Sequence, residues 1–217
     1  MTNSEALFID LATEANFKRG IFNAIIAPRP IGWISTVNLD GTANLAPFSY
    51  FNIVSNHPPI LMFSCNTPED RHKKDTVANV RATGEFVFNL VSHDLVDEMN
   101  QTSTPVAAHV DEFDLVGIAK ASCVKVAPPR VAASPVSLEC KLLKILSFGG
   151  GDDGPETDVT FGTVVGIHIA AGYLHEDGHF DTAKAQPVAR LGGAEYAISQ
   201  PSFILDRKFT RAQEATY

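Results

Sequence analysis

Ile31-Gly-Trp-Ile-Ser-Thr-Val-Asn-Leu39, then Asp40-Gly41, then Ala43-Asn-Leu-Ala-Pro-Phe-Ser-Tyr-Phe51 follow one another almost without a spacer, and their pattern decides the fold class. Ile31, Trp33, Ser35, Val37 and Leu39 alternate with Gly32, Ile34, Thr36 and Asn38, the two-residue period of a strand. Asp40-Gly41 predicts a type I′ hairpin turn, because both central residues of that turn take positive φ. A partner strand is then expected from Ala43 to Phe51, with Pro47 demanding a bulge or an edge position because it has no N–H to give to a ladder. Further strands are expected at Ile60–Cys65, Glu85–Leu90, Val136–Phe148 and Val159–Ile169, the last with the longest alternation in the chain. Helix signals are fewer. Asp75 to Thr83 reads as a helix capped by Asp75 and closed by Gly84, a second fits His93–Gln101, and a third fits within Leu7–Ala24. Many strands and few helices predict a mainly β protein, a closed or nearly closed barrel that leaves no exposed sheet edge.

The chain has 217 residues, enough for one generous domain over 1–217. Apolar residues at 45% and charged residues at 19% are globular proportions. A formal net charge of −8 argues against a general nucleic-acid or anionic-membrane binder, so any anion must be held by a local cluster. Three cysteines, Cys65, Cys123 and Cys140, form no CxxC pair, which argues against a disulfide framework or a cysteine-rich zinc site and fits a reducing cytoplasm. Met1 to Asn16 carries Glu5, Asp10 and Glu14 and does not read as a signal peptide. No apolar run approaches the roughly 18 residues of a membrane span.

Several motifs carry less than their letters suggest. Gly149, Gly151 and Gly154 spell GxGxxG, but Pro155 and a strand pattern follow where a dinucleotide fold requires a helix N-terminus. His175 and His179 flank Asp177-Gly178, a turn signal, so they read as a hairpin tip rather than a helical metal pair. Two stretches are more distinctive. Arg71-His-Lys-Lys-Asp-Thr76 is the densest basic run of an acidic chain and sits where a helix starts, so it reads either as a phosphate pocket without a glycine loop or as a solvated basic turn. Asn44-Leu-Ala-Pro-Phe-Ser-Tyr-Phe-Asn52 mixes aromatics with Asn and Ser on a proline-interrupted strand, whose unpaired main chain would meet the edge of a planar heterocycle or simply form a bulged edge.

In order along the chain, Arg29-Pro-Ile-Gly-Trp-Ile-Ser-Thr36, Asp40-Gly41, Asn44 to Asn52, Pro58-Pro59, Lys74-Asp-Thr76 with Asn79, Glu85-Phe-Val-Phe-Asn89 and Pro187-Val-Ala-Arg-Leu-Gly-Gly193 with Tyr196 resemble the flavin reductase-like family of FMN-binding split barrels, in its flavoredoxin-like branch. The resemblance covers roughly residues 20–200, leaving an N-terminal extension 1–19 and a polar tail 206–217. It implies a homodimeric split β-barrel of Greek-key type with one FMN per subunit. Ser49, Tyr50, Phe51 and Asn52 would line the flavin ring, largely through main chain. Arg71, Lys74 and Thr76 would hold its phosphate, with Asp75 beside them. Trp33 and Thr36 would face the groove, and Arg190 would lie near the open flavin face where a nicotinamide stacks. The implied activity is NAD(P)H-dependent flavin reduction by hydride transfer to N5, with no protein acid or base required and a monooxygenase or another redox partner as electron acceptor. The alternative is an FMN-holding electron carrier without its own NAD(P)H turnover.

Overall fold

The computed structural model describes residues 6–13, 19–67, 74–149, 156–199 and 202–205. Its elements are α1 (Arg19–Ile25), β1 (Arg29–Pro30), β2 (Gly32–Val37), β3 (Ala43–Phe48), β4 (Phe51–Asn56), β5 (Pro59–Asn66), α2 (Asp75–Thr83), β6 (Glu85–Leu90), a 3-10 turn (His93–Leu95), α3 (Val96–Gln101), α4 (Glu112–Val116), β7 (Lys120–Ala121), β8 (Arg130–Val131), β9 (Val136–Phe148), β10 (Thr157–Ile169), α5 (Thr182–Ala185), β11 (Val188–Arg190) and β12 (Tyr196–Ile198). Seven strands form one antiparallel sheet in the order β3-β2-β6-β9-β10-β5-β4, and β1, β11 and β12 form a small second sheet.

The two outermost strands of the large sheet, β3 and β4, are consecutive in sequence, separated only by Ser49 and Tyr50. Alternating antiparallel pairings around the sheet leave β3 and β4 running in the same direction. One bent ribbon therefore serves as both ends of the sheet and closes it into a barrel, and Ser64 N–H donates to the Tyr50 carbonyl at 2.8 Å beside the bend. The expected strand from Ala43 to Phe51 corresponds to β3, which ends at Phe48; β4 runs on to Asn56, beyond that expectation. Pro47 lies in β3, an end strand, as its missing N–H requires.

The β2–β3 turn differs from the expected type I′. Its central residues are Leu39 and Asp40, closed by Gly41 N–H to the Asn38 carbonyl at 3.1 Å, and only Gly41 takes positive φ (+85°). The Asn38 side chain accepts the N–H groups of Asp40 and Thr42, both at 2.9 Å, which stabilises this longer loop. The helix expected within Leu7–Ala24 is α1 alone among the described residues, with a turn at 11–13. His93–Gln101 splits into the 3-10 turn and α3.

Ile34, Phe48, Leu61, Phe63, Phe86, Phe88 and Cys140 fill the barrel interior, with Val77 and Val80 of α2 packed on them. Phe51 stacks on Phe88 at 4.7 Å, and Gly32 leaves room for it, since a Cβ there would stand 2.5 Å from Phe51 Cδ2. A second core on the other face of β2 and β3 joins Trp33, Leu45, Met99, Phe113, Val131 and Val188. β2 is thus buried on both faces. Asn89 is fully buried and saturated, donating to the Trp33 carbonyl and Ser35 Oγ and accepting from Val131 N–H and Ser137 Oγ. The amide holds β8 against the barrel.

Candidate functional site

The site builds from the start of α2. Lys74 occupies the N-cap position in extended geometry and gives no side-chain cap, so the first-turn N–H groups receive no side-chain acceptor from it. Asp75, expected as the cap, is the first helical residue instead. Two amide–hydroxyl bonds pin the helix to the barrel. Asn44 Nδ2 donates to Thr76 Oγ1 at 3.0 Å, and Asn79 Nδ2 donates to Thr36 Oγ1 at 3.1 Å. Thr36 and Asn44 are register partners on β2 and β3, so both bonds land at one point of the hairpin. The Lys74 ammonium stands 5.6 Å from the Phe48 ring centre.

Phe48 is the residue before the bend, so it joins the basic helix start to the Ser49–Asn52 ribbon. Along that ribbon Ser49 is half-buried. Tyr50 is 40% exposed and its hydroxyl donates to Asn23 Oδ1 at 2.6 Å. Phe51 turns inward onto Phe88, which leaves only its main chain for a ligand. Asn52 is exposed and its Oδ1 accepts the Ile53 N–H at 2.8 Å. Each end strand is paired on one side only within the large sheet, so unpaired main-chain donors and acceptors converge on the bend.

Trp33 and Thr36 do not face an open groove. Trp33 is wholly buried in the second core, and its indole N–H donates to Thr102 Oγ1 at 2.9 Å. Thr36 is wholly buried beneath α2. Strand alternation sends Trp33 to one buried face and Thr36 to the other, and both are covered. Arg71 lies outside the described residues, as do residues 150–155 of the glycine-rich turn and the 206–217 tail. A strand, β10, follows that turn, not a helix. His175 and His179 do sit at a hairpin tip, with His175 N–H donating to the His179 carbonyl at 2.9 Å and Gly178 at φ +85°.

Arg190 packs over the Tyr196 ring at 4.5 Å and donates to the Tyr196 hydroxyl and the Gly193 carbonyl. Its register partner, Arg29, is a residue whose role sequence reasoning missed. Buried Arg29 donates to the carbonyls of Asn23, Ile26 (2.6 Å) and Leu191 (2.9 Å). A continuous chain of contacts therefore runs from Tyr50 through Asn23 and Arg29 to Leu191, beside Arg190. The signal was present, since Arg29, Asn44 and Asn79 all belong to the ordered motif series, but only the fold shows what each one holds.

The donor set fits a phosphorylated planar ligand. Helix N–H groups and Lys74 supply positive charge for an anion, and the open ribbon edge supplies main-chain partners for a heterocycle. Among the described residues no helix is long and apolar enough to cross a membrane.

Residues 26–184 match the model of the flavin reductase like domain. An uncharacterized protein of Aquifex aeolicus is 36% identical over 189 residues, 87% of this chain and 93% of its own length. The crystal structure of nitrilotriacetate monooxygenase component B from Bacillus cereus superposes with a TM-score of 0.86 at 29% identity, covering 92% of this chain and 98% of that one. The 2-nitrobenzoate 2-nitroreductase of Pseudomonas fluorescens shares the fold, with a TM-score of 0.81 at 24% identity over 94% of this chain and 98% of its own.

Proposed function

The chain belongs to the flavin reductase-like domain family, and from that premise we propose that it is an FMN-binding oxidoreductase that reduces flavin at the expense of NAD(P)H. The observation that carries the reading is the start of α2, with Lys74 at an N-cap that lacks a side-chain acceptor, set beside Phe48 and the Ser49–Asn52 bend. Lys74, the hydroxyl of Thr76 and the first-turn N–H groups would hold the phosphate, together with Arg71. The main chain of Ser49 to Asn52 would meet the ring edge. Main-chain N–H groups of that ribbon would offer donors to negative charge on the bound ring. Arg190, fixed by Tyr196, would border the open face for a nicotinamide. When bound, the flavin supplies the hydride-accepting chemistry, so the chain itself need only bind and orient.

A homodimer in the cytoplasm completes this reading. Exposed Ile21, Phe22, Ile25 and Ile26 on and just after α1, and Ile53 and Val54 on β4, are apolar surface of the kind a second subunit covers. The Bacillus cereus neighbour is a monooxygenase component, which supports an oxygenase as the electron acceptor.

Purified protein titrated with FMN, followed by NADH or NADPH oxidation, tests the proposal. Saturable FMN binding with nucleotide oxidation above that of free flavin is expected. FMN binding without oxidation would assign the chain as an electron carrier, and no FMN binding would end the flavin reading.

A further inference from the structure

β8 passes the start of β9 and the end of β10, and between them lies a cavity of about 330 Å³ walled by Arg130, Ala132, Ser134, Ile167, His168 and Ala170. Its two charged neighbours differ in how fully they are bonded. Glu139, 1% exposed, is the nearby acid, and its carboxylate is saturated by the N–H groups of Val124 (2.9 Å), Lys125 (2.6 Å) and Val126 (3.1 Å) and by His168 Nε2 at 2.5 Å. Gly166, the register partner of Glu139 beside a bulge in β10, makes room for that carboxylate, since a Cβ there would stand 3.3 Å from its carboxyl carbon. The bond fixes the His168 ring through one nitrogen and leaves Nδ1 for another group. Cys123, in the same cluster, adds no charge, because burial and then Glu139 push its thiol up to about 11.

Arg130 has no such balance. Its Nε is buried without a hydrogen-bond partner, and among the described residues no carboxylate forms an ion pair with it. A guanidinium keeps its proton, so a buried edge of its fork calls for an acceptor. Ser134, whose hydroxyl donates to the Leu90 and Val136 carbonyls, adds a polar wall, and Ile167, Ala132 and Ala170 add aliphatic surface.

We propose that this cavity binds a small organic carboxylate, with the Arg130 fork on the carboxylate, His168 beside it and Ile167, Ala132 and Ala170 packed on the carbon body. The planar fork matches a carboxylate in two parallel bonds, and the volume lies at the lower end for small-molecule sites. The site does not depend on the flavin reading, and it is tested without flavin.

Calorimetric titration of the full chain with cyclohexanecarboxylate, cyclohexanecarboxamide and inorganic phosphate decides it. One saturable carboxylate site is expected, with the amide at least about tenfold weaker and phosphate weaker still. Arg130→Gln is expected to weaken the carboxylate by about tenfold or more, with Arg130→Lys between the two. If Arg130→Gln fails to fold, Ala170→Leu, which fills the cavity, is expected to abolish binding. No saturable site, equal affinity for acid and amide, tighter binding of phosphate, or an unchanged affinity in Arg130→Gln or Ala170→Leu overturns the proposal. So does sedimentation showing that Arg130→Gln separates a wild-type oligomer, which would assign the guanidinium to a carboxylate of a second copy.

Discussion

Lys74 and Phe48 meet between α2 and the end of β3, with the ammonium 5.6 Å from the ring centre. The aromatic face holds the cation at the helix start rather than letting it swing into solvent. Removing the charge should therefore remove anchoring and leave chemistry intact. Lys74→Ala is expected to weaken FMN binding by about 10–100-fold, the value of a charge-assisted hydrogen bond, while hydride transfer at saturating FMN changes little. Fluorescence titration and stopped-flow reduction of the two proteins check both halves, and unchanged affinity would take Lys74 out of the phosphate site.

Thr76 tests the seat of α2. Its hydroxyl accepts the buried Asn44 amide, so Thr76→Val leaves that amide unpaired and should destabilise the fold by about 1–3 kcal/mol. Thr76→Ser keeps the acceptor and should lose less than half as much. Urea unfolding measures both, and equal losses would show that the methyl group, not the hydroxyl, matters there.

Trp33 is the single tryptophan of the chain and donates to Thr102 from a fully buried site. Its native emission is expected to be blue-shifted and nearly immune to acrylamide, becoming quenchable only on unfolding. Quenching at the rate of an exposed indole would place the ring at an open groove after all.

Trp33 also shows where sequence reading stops. Alternation over Ile31–Leu39 reveals a strand and which residues share a side, but not whether the other side is wet. Here both sides are covered, one by α2 and the barrel interior and the other by a second core that includes Met99 of α3 and Phe113 of α4. α4 carried no periodic signal because it spans five residues, held by Asp111 accepting the Phe113 N–H at 3.0 Å and Gly117 in left-handed geometry. The long strands β2, β3, β5, β6, β9 and β10 and α2 with its Gly84 terminus were readable because local chemistry specifies each of them. The bend at Ser49–Tyr50 and β4 beyond it were not, because Phe51–Asn56 shows no clean alternation and carries a register irregularity between Ile53 and Ser55. The roles of Arg29 and Asn89 depend on partners far away in the chain.

Glu139 gives the fold an acid-sensitive point. Burial pushes its carboxyl up, but the N–H groups of Val124 and Lys125 and the His168 ring pull it down further, so the folded value lies below that of the unfolded chain. The stability this contributes is fully present above the ordinary carboxylate range and is lost as pH falls through the folded value. Glu139→Gln is therefore expected to be less stable than wild type near neutrality, with the gap closing as pH drops from about 6 toward about 3. Urea midpoints across that range check it, and a gap independent of pH would mean that the carboxyl titrates alike in the folded and unfolded chain.

Gly32 and Phe51 tie barrel closure to the ligand ribbon. Phe51 lies flat on Phe88 because nothing projects from residue 32, and a methyl group there would overlap the Phe51 ring. Gly32→Ala should therefore push the ring off Phe88 and move the backbone of the ribbon, at about 1–3 kcal/mol of stability. Phe51→Leu in the same chain shortens the obstructing side chain and should recover part of that loss. If the ribbon main chain is what meets the flavin ring, FMN affinity falls in Gly32→Ala and rises again in the double variant. Recovery of the urea midpoint without recovery of affinity would separate the two roles, leaving Phe51 as a core residue and removing its main chain from the binding surface.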